Sequence, residues 1–149
     1  MVIEYSDGSK ETVTGSDQRI ELEFKEEGVN VTGDLKGDVR AGEMTCGNVE
    51  GDVSAGGVVK CARVAGDLNA GGFVEAGDVS GDLNAGGYVH AGAVTGDLRA
   101  EAYVRCGDVT GDVSAEGDVR CGGITGDATA AGSIECDGVA GDVVPGDAC

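Results

Sequence analysis

Apolar residues recur along this chain in one fixed order that repeats every fifteen residues. When each copy is numbered from the Gly of a Gly-Asp pair, positions 3, 5, 9, 11 and 14 are apolar or small, and most positions between them are polar. An early pair at Gly37 falls one residue short of the period. Later pairs in register mark a repeat architecture, and they begin at Gly51, Gly66, Gly81, Gly96, Gly111, Gly126 and Gly141.

The spacing inside each copy predicts three short β-strands. Positions 3 and 5, positions 9 and 11, and position 14 with the next Gly each lie two residues apart, which is the period of a strand with one buried face. A helix fits poorly, because each glycine in a helix interior costs about 1 kcal/mol. The sequence therefore predicts an all-β fold, a triangular single-stranded parallel β-helix (a β-solenoid) with about 15 residues per coil, stacked at the strand spacing of about 4.8 Å.

The two ends of the chain depart from the repeat. We expect residues 1–28 to form an N-terminal cap, with a β-hairpin around the turn at residues 6–9 and a further alternating strand at residues 20–24. Residues 29–149 are predicted to form the parallel β-helix repeat domain. The last copy stops part way through a coil without a cap-like sequence, so we expect exposed strand edges at that end.

The composition suits a thin tube and disfavours several kinds of partner. Glycine supplies 29 residues and aromatic residues only 3 %, so the 40 % hydrophobic fraction is mostly Val and Ala. The formal net charge of −18 disfavours nucleic acid and anionic membranes, because both are polyanions. No segment resembles a signal peptide or approaches a run of about 18 apolar residues. We therefore expect a cytoplasmic protein without direct membrane insertion.

Five of the six cysteines share position 11, once the missing residue of the copy at Gly37 is allowed for, and the other two complete coils carry Ala there. Exchange with Ala indicates a small, apolar, inward position, and there is no CxxC spacing or convergence of ligands to suggest a metal or redox site. Stacking would place neighbouring β-carbons about 4.8 Å apart, beyond the 3.5–4.5 Å that a disulfide prefers. We expect a column of buried, reduced thiols made of Cys46, Cys61, Cys106, Cys121 and Cys136. Cys149 lies outside the column, which leaves intermolecular oxidation through it open.

An Asp follows the Gly at position 2 of every copy, so carboxylates stack along one corner of the tube. Bound calcium could offset their repulsion. Alternatively, each carboxylate accepts hydrogen bonds from amides of the turn. We favour the second interpretation and predict no metal, because the calcium-binding nonapeptide pattern is absent. Under the calcium interpretation, the ligands would be Asp67, Asp82, Asp97 and Asp112.

An aromatic strip occupies outward position 8 and consists of Phe73, Tyr88 and Tyr103. Apolar patches on a charged surface often mark contact sites, although stacking that stiffens the sheet is the alternative. With Val143 and Val144 in the unfinished last copy, these aromatic residues are the candidate self-association residues. The sequence predicts no catalytic residue and no cofactor, and hence not an enzyme, because His90 is the single histidine and no Ser/His/Asp set or phosphate loop is visible.

The segment VTGDVSAEGDVRCGGITGDA, with its recurring V-x-G-D-V-x-A turns, resembles the bactofilins, and the likeness extends from about Gly33 to Asp142. Bactofilins are bacterial polymer-forming cytoskeletal proteins built on a triangular parallel β-helix. The fifteen-residue period and the N-terminal hairpin depart from the pattern expected of that family. The resemblance implies a nucleotide-free filament that assembles end to end.

Two functional hypotheses follow from the sequence. The first is a structural, self-associating solenoid that polymerises end to end as a bactofilin-like bacterial scaffold, with itself as partner. The second is a rigid, non-catalytic binding or spacer module, for example of phage origin, that forms a discrete homo-oligomer through the aromatic strip.

Overall fold

The computed structural model describes residues 2–5, 10–12, 22–23, 28–32 and 34–146. Every helix or strand in these residues is a β-strand, which confirms the all-β class. The first ten strands are β1 (Val2–Tyr5), β2 (Lys10–Thr12), β3 (Leu22–Glu23), β4 (Gly28–Thr32), β5 (Val39–Ala41), β6 (Glu43–Val49), β7 (Val53–Ala55), β8 (Val59–Val64), β9 (Leu68–Ala70) and β10 (Val74–Val79). The others are β11 (Leu83–Ala85), β12 (Val89–His90), β13 (Leu98–Ala100), β14 (Val104–Arg105), β15 (Val113–Ala115), β16 (Val119–Ile124), β17 (Ala128–Ala130), β18 (Ile134–Val139) and β19 (Val143–Pro145).

The strands form two long sheets because each coil contributes one strand to each. Sheet A runs in the order β18-β16-β14-β12-β10-β8-β6-β4-β1-β2, and sheet B in the order β19-β17-β15-β13-β11-β9-β7-β5-β3. Successive coils pair in parallel with like positions opposite one another, as where Val74 lies between Val59 and Val89. The predicted parallel β-solenoid, with coils fifteen residues apart, is confirmed.

The third side of the coil is narrower than the other two. In the middle coils it is reduced to single-residue bridges, in which Val94 pairs with Val79 on one side and Val109 on the other. Elsewhere the longer strands of sheet A turn the corner and include this position, as where Val64 pairs with Val79. The predicted third strand is therefore present as a column of paired aliphatic residues, most of them valines.

The shortened first copy keeps its register because the missing residue lies in a turn. Ala41 pairs with Ala55, fourteen residues later, whereas Met44 pairs with Val59, fifteen residues later. The tight turn between Ala41 and Met44 absorbs the difference, so both strands of this coil still stack in register on the next.

The predicted hairpin is present at the N-terminal end of sheet A. Strands β1 and β2 pair antiparallel, and β1 also pairs antiparallel with β4, which in turn lies parallel to β6. The predicted strand at residues 20–24 is present as β3, which pairs in parallel with β5 and extends sheet B. The hairpin turn and residues 20, 21 and 24 lie outside the described residues. Because β4 spans the proposed boundary between residues 28 and 29, that boundary stays a prediction.

Burial follows the predicted columns. In β9, Leu68 and Ala70 are buried and Asn69 between them is exposed, and the same alternation recurs in most strands of sheet B. Within residues 34–146, no polar or charged residue is buried. Since each fully buried Val or Leu contributes about 1.5–3 kcal/mol, the stacked aliphatic columns stabilise the tube without any aromatic core.

Candidate functional site

The last described coil exposes apolar residues that earlier coils bury or replace. Val143 continues an inward column and pairs with Ala128, yet it is 48 % exposed, whereas Ala128 is 0 % exposed. Its neighbour Val144 is 56 % exposed. Among the described residues, β18 pairs only with β16 and β19 only with β17. The C-terminal edge of the described residues therefore combines two strand edges with an apolar surface.

Val144 is the single aliphatic residue in an otherwise polar column. It occupies outward position 4 in sheet B and pairs with Thr129. The earlier members of the column are Arg40, Ser54, Asn69, Asn84, Arg99, Ser114 and Thr129. The apolar character of the last coil is thus specific to that coil and does not recur along the face.

The three residues of the aromatic strip form a continuous stack on the outside of the tube. The ring centroids of Phe73 and Tyr88 are 4.7 Å apart, and those of Tyr88 and Tyr103 are 5.1 Å apart, with interplanar angles of 4° and 2°. These spacings are in the range of favourable aromatic pairs. Tyr103 is 49 % exposed, and the other two rings are half-buried. The Lys60 Nζ atom lies 5.8 Å from the Phe73 ring centroid, a cation–π distance.

The aromatic strip ends at a shallow cavity. The next residue in the column is Asp118, and a cavity of about 290 Å³ lies beside Tyr103, bordered also by Arg105 and Arg120. The Asp118 carboxylate accepts hydrogen bonds from the backbone N–H and the hydroxyl of Ser133, which hold the pKa of Asp118 below its ordinary value. Charged groups therefore border the exposed end of the strip.

The aspartate column is joined to the backbone of the next coil. The Oδ1 atom of Asp67 accepts the N–H of Asp82 at 2.9 Å, and the Oδ1 of Asp97 accepts the N–H of Asp112 at the same distance. The other two candidate calcium ligands, Asp82 and Asp112, make equivalent bonds to the following coil. This geometry agrees with the hydrogen-bonding interpretation. No group of three or more His, Cys, Asp or Glu side chains in the described part of the chain could hold a metal ion, and the predicted lack of a metal stays a prediction.

The Gly-Asp pairs from Gly51 onward are explained by a steric constraint that the sequence did not reveal. The Asp carboxylate of one coil lies where a β-carbon on the Gly of the next coil would have to be. At Gly96, an added Cβ would overlap the Oδ1 atom of Asp82 and lie 2.7 Å from the Gly81 carbonyl carbon. Only glycine leaves room for the hydrogen bond that joins the coils.

The cysteine column brings sulfur atoms together in pairs. The Sγ atoms of Cys46 and Cys61 are 2.6 Å apart, and those of Cys106 and Cys121 are 2.8 Å apart. Cys61 and Cys121 are buried and the other members half-buried. The neighbouring thiol first, and burial second, raise the pKa of Cys46 and of Cys121. The sequence argument considered β-carbon spacing alone and so missed the approach of the sulfur atoms, which side-chain rotation permits.

This chain matches no family model, and no curated protein or solved structure matches it. The resemblance to bactofilins therefore rests on the sequence pattern and stays a prediction. Within the described residues, no helix is long and apolar enough to cross a membrane.

Proposed function

We propose that this protein is a non-catalytic structural solenoid that self-associates through the end of its tube and polymerises end to end, in the manner of a bactofilin-like bacterial scaffold. The observation that carries the proposal is the last described coil, where Val143 and Val144 are exposed beside two strand edges. A cytoplasmic location, and a lack of nucleic-acid partners, stay predictions from the sequence.

The last coil offers the same kind of contact that holds successive coils together. A strand edge presents N–H and C=O groups that can pair with another chain, and a second coil would settle at the strand spacing of about 4.8 Å. Such pairing would cover Val143 in the way that Val143 covers Ala128. Burial of a valine side chain contributes about 1.5–3 kcal/mol, so an added coil stabilises both molecules.

Growth into a filament requires unlike ends. At the N-terminal end of the described residues, sheet A ends at β2 and sheet B at β3, each with one neighbouring strand. Contact of the C-terminal edge of one copy with the N-terminal edge of the next would leave a fresh edge after every addition, which produces an open polymer. Contact between two C-terminal ends would instead close as a dimer.

A double substitution tests this surface with little risk to the fold. Val143→Ala with Val144→Thr gives the last coil the residues of the coil before it, Ala128 and Thr129. We expect the variant to keep a β-rich circular dichroism spectrum but to lose filaments in negative-stain images, with monomers in sedimentation velocity. A wild-type chain that stays monomeric at high concentration and shows no filaments would refute the proposal.

A second candidate function is a rigid, non-catalytic binding or spacer module that forms a discrete homo-oligomer through the aromatic strip. The exposed Tyr103 beside the 290 Å³ cavity favours it. A Tyr88→Asp, Tyr103→Asp double variant is the matched control, because Asp118 already occupies this column. It should retain end-to-end filaments under the first proposal, and it should abolish the oligomer under the second.

A further inference from the structure

Two cysteine pairs in neighbouring coils are placed for a reaction that the proposed function does not use. Their sulfur atoms are 2.6 and 2.8 Å apart, for Cys46 with Cys61 and for Cys106 with Cys121. A disulfide bond has a sulfur–sulfur distance of about 2.05 Å. In each pair the sulfur atoms therefore need to close by less than about 1 Å, and both residues of a pair already project from paired strands or their immediate continuation.

We propose that these two pairs are oxidative modification sites, at which hydrogen peroxide converts facing thiols into disulfides that join neighbouring coils. The inference does not depend on self-association, since the thiols line the interior of the tube and the candidate contact residues lie on its outside or at its end. All five cysteines of the column are free thiols in the structure, as expected from the sequence, and the proposal concerns what peroxide does to them.

The reaction balances with peroxide as the oxidant. One thiol, as its thiolate, attacks an oxygen of hydrogen peroxide and becomes a sulfenic acid, and the cleaved oxygen leaves as water after taking up a proton. The facing thiol then attacks the sulfenic sulfur, the sulfur–sulfur bond forms, and the hydroxyl group leaves as a second water. The two thiols lose two electrons and two protons in total, and one peroxide molecule becomes two waters.

Position in the column decides which cysteines react. Cys61 is followed in the column by Ala76, and Cys106 is preceded by Ala91, so the two pairs cannot exchange partners through the column. Cys121 lies between Cys106 and Cys136. The short sulfur distance joins it to Cys106, and we expect Cys136 to remain a thiol.

Access decides where and how fast the reaction begins. Cys46 and Cys106 are half-buried and their partners are buried, so a molecule as small as peroxide reaches Cys46 and Cys106 first. The raised pKa of Cys46 and of Cys121 keeps the thiolate fraction of these groups low near neutral pH. Because the thiolate is the reactive form, we expect slow oxidation that accelerates as the pH rises.

The test uses the full chain with the substitution Cys149→Ser, so that the five cysteines of the column are the only thiols measured. The folded protein is treated with hydrogen peroxide, quenched with catalase, alkylated in denaturant and analysed by mass spectrometry. We expect four of the five remaining cysteines to resist alkylation, a mass loss of about 2 Da for each disulfide, and peptides linking Cys46 to Cys61 and Cys106 to Cys121. Dithiothreitol should restore all five thiols.

Two single variants serve as matched controls, because alanine already occurs at this position in Ala76 and Ala91. Cys61→Ala should abolish the first link and leave the second intact, and Cys121→Ala should do the reverse. Alkylation of all five cysteines after treatment would overturn the inference. So would a link between Cys121 and Cys136, oxidation to sulfinic acid without links, or the same set of links after oxidation of the unfolded chain.

Discussion

At the residue scale, the corner of each coil depends on a Gly and an Asp from different coils. The Asp82 carboxylate accepts the N–H of Asp97, and Gly96 leaves the space through which that carboxylate reaches. The Asp therefore accepts a hydrogen bond from a backbone amide of the next coil, and the Gly makes this hydrogen bond sterically possible. The two residue types recur together because each coil supplies one half of the contact to its neighbour.

Replacement of a corner glycine should destabilise the tube. In Gly96→Ala, the added Cβ would overlap the Asp82 carboxylate and crowd the Gly81 backbone. Either the hydrogen bond from Asp97 to Asp82 breaks, or the distance between the two coils increases. We expect a loss of about 1–3 kcal/mol in the free energy of unfolding, measured by urea denaturation. Gly123→Ala is the control, since its Cβ would meet the Asp108 Oδ1 atom at an ordinary 3.6 Å. Equal losses in both variants would contradict the steric explanation.

The Asp118 carboxylate provides a pH-dependent test of the same kind of contact. The Ser133 amide and hydroxyl hold the pKa of Asp118 below its ordinary value of 3.8. A lowered pKa in the folded state stabilises the fold above the unfolded pKa, and this contribution is lost as the pH falls through the folded pKa. We expect Ser133→Ala to raise the pKa of Asp118, measured by NMR titration.

The stability difference between wild type and Ser133→Ala should follow the same titration. It should be present at neutral pH and disappear at a pH below the folded pKa of Asp118, where the carboxyl is protonated in both proteins. Thr129→Ala is the control, because Thr129 is an exposed residue of the neighbouring strand β17. An unchanged Asp118 titration in Ser133→Ala would show that the hydroxyl does not contribute.

At the scale of the element, each strand is too short to be stable alone and depends on the strands above and below. Leu83 is 0 % exposed and lies between Leu68 and Leu98 in sheet B. Its contacts are therefore with residues fifteen positions away in both directions. In a solenoid, stability is close to a sum of such nearest-neighbour interfaces.

Truncation of one inward leucine should therefore weaken two interfaces at once. We expect Leu83→Ala to lower the free energy of unfolding by about 2–5 kcal/mol, because it leaves a cavity that the stacked columns of the lumen cannot fully collapse to fill. Asn84→Ala, one residue away on the outer face, removes only an exposed hydrogen bond to Asn69 and should cost less than about 1 kcal/mol. Urea denaturation measures both, and equal effects would contradict the inward packing of Leu83.

At the scale of the whole molecule, charge opposes association while the last coil favours it. The formal net charge is −18, and the described salt bridges, such as that between Lys60 and Glu75, are exposed and few. Two copies therefore repel each other over distances comparable to the Debye length, about 10 Å at 0.1 M salt. Association through the end of the tube must overcome this repulsion.

Salt should therefore promote self-association without a specific ion. We expect light scattering to rise as sodium chloride is increased, and to rise equally with calcium chloride at the same ionic strength. The melting temperature should not change on addition of a chelator, because the Asp67, Asp82, Asp97 and Asp112 carboxylates are engaged by backbone amides. A chelator that lowers the melting temperature by many degrees would restore the calcium interpretation of the aspartate column.

The sequence by itself determined the columns of the tube. The fifteen-residue period assigns each residue of the in-register copies to a position in the coil, and the two-residue alternation within each copy assigns it to the inside or the outside. From these two facts the parallel stacking, the buried Val, Leu and Ala columns and the outward aromatic strip could be predicted. The hairpin strands could be predicted from local alternation and turn residues.

Only the tertiary structure decided how residues in the same column contact one another. The sulfur pairs and the fit of Asp82 against Gly96 depend on side-chain rotation and on what lies in the next coil. A column assignment specifies that two residues are neighbours, but it leaves their side-chain torsions free. The narrow third side is reduced to a single-residue bridge at Val94. Its width is likewise set by backbone geometry at the corners, which the fifteen-residue period does not specify.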